Sequence, residues 1–67
     1  MDYVRLGKLA RTRREELNLT QEKVAEMMDI SLAFYGHIER GTRVLSVETL
    51  YRLCAVLGLY ADYLMGI

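Results

Sequence analysis

The chain has 67 residues, 52% of them hydrophobic, and its nine basic and nine acidic side chains leave no formal net charge, so composition alone carries no electrostatic signature of a nucleic-acid binder. One domain (1–67) is expected, near the lower limit for a self-supporting core and with apolar surface to spare for a partner subunit. The single cysteine excludes an internal disulfide, no run approaches the roughly 18 apolar residues of a membrane span, and "MDYVRLGK" lacks the apolar core of a signal peptide, which together predict a soluble cytoplasmic protein with no membrane association.

In chain order, the absence of proline and the apolar spacing predict an all-α fold of five helices. The first runs from about Asp2 to Leu17, with Leu6, Ala10, Arg13, Arg14 and Leu17 near one stripe, and Asn18 stops it. Thr20 caps a second, Gln21 to Met28, whose Val24, Ala25 and Met28 share a side. A tight "DIS" turn follows, in which Asp29 tolerates a left-handed backbone. Ser31 caps a third, Leu32 to Arg40, with Tyr35 and Ile38 inward, Leu32, Ala33, Gly36 and His37 outward, and Gly41 as its stop. After "GTRVL", Ser46 caps a fourth, Val47 to Leu57, with Leu50, Leu53, Cys54 and Leu57 as its stripe and Gly58 as its end. A short fifth segment is expected around Ala61 to Met65.

Charge is unevenly distributed along this frame. Arg5, Lys8, Arg11, Arg13 and Arg14 crowd the first fourteen residues, while no basic residue follows Arg52. That pattern fits one basic side and one neutral, sticky side, and it equally fits a solvated charged helix. Enzymatic chemistry finds no foothold. His37 and Cys54 are too few for a metal site, Cys54 falls on an apolar stripe, and the five glycines are too scattered to form a phosphate loop. No catalytic residue, metal, cofactor or small-molecule substrate is therefore expected.

Segments two and three, about residues 20–40, form a helix-turn-helix shape, which lays its second helix in the major groove while the first crosses the phosphate backbone. The stretches "LTQEKVAEMMDIS", "IERGTR", "SVETLYRLCAVLG" and "ADYLMG", in this order over residues 6 to 66, closely resemble the phage-repressor and Cro-like family of helix-turn-helix regulators, also called the xenobiotic-response-element family. The resemblance implies double-stranded DNA binding and transcriptional regulation, most simply as a homodimeric repressor. An alternative stays open, a non-enzymatic protein-interaction module such as the antitoxin of a toxin pair.

Carried over residue by residue, the resemblance makes Leu32, Ala33, Gly36 and His37 base-facing. Thr20, Gln21, Phe34, Thr42 and Arg43 fall at positions facing the DNA backbone, with Gln21 also bracing the reading helix. Arg14 and Glu39 match a charge pair that tethers the first and third helices. The reading helix departs from the family in lacking the Gln, Arg or Asn that bond purines in pairs. Leu32 and Ala33 can pack against thymine methyls, and His37 can bond a base edge or a phosphate, so an A·T-containing site held largely by phosphate contacts is expected. Tyr51, Ala55, Tyr60, Tyr63, Met65 and Ile67 would form an apolar dimer surface on the fourth and fifth helices. A two-fold dimer built on it would set two reading helices about 34 Å apart.

Overall fold

The computed structural model describes residues 1–61, which form four α-helices: α1 (Tyr3–Glu16), α2 (Gln21–Met28), α3 (Leu32–Arg40) and α4 (Val47–Leu57). The described chain thus holds four helices where five were expected. Of the expected fifth segment only Ala61 falls within the described residues, and the rest lies outside them.

Each helix begins and ends by local chemistry. The side chains of Asp2, Thr20, Ser31 and Ser46 each accept a hydrogen bond from the backbone N–H three residues on, at 3.0 to 3.1 Å, and so satisfy one of the unpaired donors of the first turn. At the other ends Asn18, Asp29, Gly41 and Gly58 take left-handed backbones, with φ between 57° and 71°. The N–H after each of them reaches back five residues in the chain, to the carbonyls of Arg14, Ala25, His37 and Cys54. Asn and Asp carry this geometry at modest cost because their short polar side chains tolerate it.

The helical stripes meet in one core. Leu6, Ala10, Val24, Met28, Tyr35, Ile38, Leu53 and Leu57 are fully buried, with Ala25, Leu50 and Cys54 beside them and Leu45 anchoring the α3–α4 loop from below. Burial pushes the Cys54 thiol above its usual range, so it stays a protonated core residue. One member of the expected α1 stripe falls off it. Leu17 is exposed, because the helix ends at Glu16 and the left-handed turn at Asn18 carries the chain away from that face.

Helix α1 meets α3 backbone to backbone. A Cβ at Gly7 would stand 2.4 Å from the carbonyl oxygens of both Ile38 and Glu39, closer than any side chain permits. At the same junction Gly41 combines φ of 71° with a Cβ position only 2.6 Å from the Val4 Cα. Two arginines close helix ends from across the fold, Arg13 donating to the carbonyl of Leu57 at 2.9 Å and Arg52 to that of Met28 at 3.2 Å, and Arg14 donates to the carbonyl of Leu19 in the α1–α2 linker at 3.0 Å. Two of the five bases crowded into the N-terminal segment are therefore turned inward, and the basic side inferred from their spacing is correspondingly thinner. No helix of the described residues is long and apolar enough to cross a membrane.

Candidate nucleic-acid interface

Helices α2 and α3 are joined by Asp29, Ile30 and Ser31, and this turn presents the start of α3 at the surface. Leu32 is 46% exposed and Ala33 is also open, so the first turn of α3 offers apolar, hydrogen-bond-free contact area. His37, one turn further, is half-buried. Its Nδ1 lies 2.7 Å from the Thr42 hydroxyl, which also reaches the His37 carbonyl at 3.4 Å. The ring is thus tied to the loop that follows α3, and two residues expected to contact DNA separately, His37 and Thr42, form one unit. Arg43 stands exposed beside them.

Gly36 departs from its expected outward, base-facing role. It is buried, and what covers it is the Arg40 side chain: a Cβ at Gly36 would stand 2.9 Å from Arg40 Nη1. The cause is helical geometry. Residue 40 lies one turn beyond residue 36 on the same face, and helical side chains lean back toward the N-terminus, so Arg40 folds onto the space that the missing Cβ leaves. Phe34 is likewise not free for a backbone contact over its whole surface, since it packs half-buried against the core.

Between α1, α2 and α3, Glu39 is the centre of a partly buried polar cluster. Its side chain is only 5% exposed and accepts from Arg14 Nε at 2.6 Å and Nη2 at 3.3 Å, and from Gln21 Nε2 at 2.9 Å. Burial by itself would raise the Glu39 carboxyl, but the hydrogen bonds it receives and the Arg14 charge outweigh that and hold it below its ordinary value. The same contact, partly opposed by burial, raises the Arg14 guanidinium further above its already high value. The Tyr35 hydroxyl is buried nearby without a partner of hydrogen-bonding geometry, and burial first and the Glu39 carboxylate second push its phenol up. Gln21 is therefore held between two tasks. Its amide braces α3 through Glu39, and its position at the first turn of α2 places it where the helix dipole favours an anion. Thr20 gives its hydroxyl to capping α2.

Arg11, Arg14, Thr20, Gln21, Glu22, Gly36, Glu39 and Arg40 line one open cleft of about 540 Å³ between α1, α2 and α3. Thr20, Gln21 and Gly36 in this lining are among the residues expected to face DNA, whereas Arg11 and Arg40 were not expected beside them. The four-residue spacing of Gly36 and Arg40 was the available signal.

Residues 11–64 match the model of the helix-turn-helix family HTH_3. The control protein C.MunI of Mycoplasma sp is 37% identical over 57 residues, covering 84% of this chain and 77% of that protein. Among solved structures, the restriction-modification controller protein C.AhdI from Aeromonas hydrophila is similar, with a TM-score of 0.86 and 28% identity over 94% of this chain and 96% of C.AhdI. The clp gene regulator ClgR from Corynebacterium glutamicum gives a TM-score of 0.88 at 26% identity, over 97% of this chain and 69% of ClgR.

Proposed function

Because the chain belongs to the helix-turn-helix family HTH_3, in its phage-repressor and Cro-like class of DNA-binding transcription regulators, we propose that it is the control protein of a restriction-modification system. In this role it acts in the cytoplasm as a homodimer that represses the promoter it occupies. The observation that carries this reading is the match to two such controllers, one of them sharing almost its whole length with this chain at closely similar shape.

In mechanism, Leu32 and Ala33 enter the major groove and pack against thymine methyls, while the His37–Thr42 unit and Arg43 follow the groove edge. Gln21 meets a phosphate at the start of α2 and, through Glu39, fixes the angle of α3 against that anchor. Support for the dimer comes from the outer face of α4. There Val47 is 64% and Tyr51 56% exposed, Ala55 continues the same stripe, and Val44 and Tyr60 stand 82% exposed on either side of the helix. Val44 and Val47 extend the set expected from sequence, whereas Tyr63, Met65 and Ile67 lie outside the described residues.

Selection from random duplexes tests the reading. The expected product is an A·T-containing motif with two related half-sites, present upstream of the chain's own gene beside a methyltransferase and an endonuclease gene, and lowering reporter output when the protein is expressed. No enriched motif would overturn DNA reading, a motif without such neighbours would overturn the restriction-modification role, and raised output would overturn repression. Light scattering that finds only monomer at tens of micromolar, with and without DNA, would overturn the homodimer.

A further inference from the structure

The cleft at the start of α2 contains more cationic chemistry than the family resemblance assigned to it. Three arginines and two glutamates line it. Arg14 and Glu39 neutralise each other at 2.6 Å. Arg11 is shared with Glu15 at 3.7 Å in an exposed pair. Arg40 has no hydrogen bond or ion pair among the described residues, yet its guanidinium is not loose, because it lies on the bare backbone of Gly36.

An unpaired guanidinium held by packing, with its donors open to a cleft that also contains Thr20 and Gln21, is suited to an anion with several oxygens. We infer that Arg40, seated over Gly36, clamps a DNA backbone phosphate at this cleft, and that Gly36 is kept small to position Arg40 and not to admit a base. The inference rests on the DNA-binding reading and adds to it a named phosphate contact and a reason for the glycine. It also answers how a chain of zero net charge approaches a polyanion: the attraction is local, made by a guanidinium open at the interface while Arg13, Arg14 and Arg52 are bonded to carbonyls of the fold. The direction fits as well, since the leaning of the side chain carries the charge from the end of α3 back toward the start of α2.

The test is binding of the purified chain to a selected duplex and to a scrambled one, by fluorescence anisotropy, over roughly 50 to 200 mM salt. Arg40→Ala is expected to weaken both duplexes by a similar factor, roughly tenfold at the low-salt end, and to lower the slope of log affinity against log salt by about 0.9. Arg40→Lys, which keeps the charge, is expected to retain that slope. Gly36→Ala changes no charge and suits a helix better, so thermal melting should show it folded. Its Cβ displaces the guanidinium, so it is expected to weaken both duplexes as Arg40→Ala does, and the double variant is expected to be no weaker than Arg40→Ala alone. Three results would overturn the clamp: an unchanged salt slope in Arg40→Ala, effects of the two substitutions that add, or a Gly36→Ala change confined to the ratio of selected to scrambled binding. Wild-type protein that binds neither duplex would instead overturn the DNA-binding reading on which the clamp stands.

Discussion

The α1–α3 junction and the outer face of α4 are built on opposite principles. At the junction two backbones touch through Gly7, and the charges beside them, Arg14 and Glu39, are largely shielded from solvent, paired and cross-linked to Gln21. Along α4 the outer stripe of Val47, Tyr51 and Ala55 is apolar and exposed. The charged groups are inside and the hydrophobic groups outside, the reverse of what burial free energy alone would arrange. The contrast teaches where stability and assembly are separately decided. The junction fixes the angle of α3 within one chain, and the α4 face is the surface on which the proposed homodimer is assembled.

The sharpest way to break this contrast is at the point of closest approach. Gly7→Ala places a methyl against two backbone carbonyls that cannot move without shifting α3, and it is expected to cost at least about 3 kcal/mol, a large part of what a chain of this size has. Urea denaturation reads this directly, and a midpoint close to wild type would show that the helices can separate freely. Next in size, Glu39→Ala strands the buried Arg14 and leaves the Gln21 amide without its acceptor, a loss of about 3 kcal/mol. Glu16→Ala breaks only an exposed contact to Arg13 at 3.6 Å and should cost about 0.5 kcal/mol or less. Equal losses at the two sites would remove the distinction between the buried and the exposed pair.

The same pair predicts an acid dependence. The Glu39 carboxyl is held below its ordinary value of 4.5, so on acidification the unfolded chain takes up this proton before the folded one. The stabilisation is complete at neutral pH, begins to fall below about 4.5 and is gone once the folded carboxyl protonates. The stability gap between wild type and Glu39→Gln is thus expected to narrow as the pH falls below about 4.5, and a gap that stays constant would argue against the charge. The smallest effect on the folded chain is expected at α4. Val47→Ser with Tyr51→Ser should change stability, measured where the protein is monomeric, by no more than about 1 kcal/mol in total. It should nonetheless shift the monomer–dimer balance seen by light scattering at least tenfold, and an unaltered balance would place the dimer contact elsewhere.

What was legible in advance follows from the range of the interactions involved. The four described helices, their Ser and Thr caps and the stops at Asn18, Asp29, Gly41 and Gly58 are decided within a turn of chain, and pattern exposes them, whereas Asp2, expected inside α1, caps it instead. The joining of Arg14 to Glu39 came from resemblance, since no spacing rule links residues 25 apart. The packing of Arg40 over Gly36 was not foreseen, and it covers a glycine that helical spacing had placed on the outer face.

By itself the sequence determined the all-helical class, the caps, the apolar stripes and membership of a family whose motifs run in order along the chain, all properties of neighbours in the chain. Only the tertiary structure decided which arginines turn inward to bond carbonyls, which glycine admits a helix and which admits a guanidinium, and that Gln21 braces α3 through Glu39. Those outcomes depend on distances between elements, and at that range one missing Cβ or one buried carboxylate outweighs any local preference.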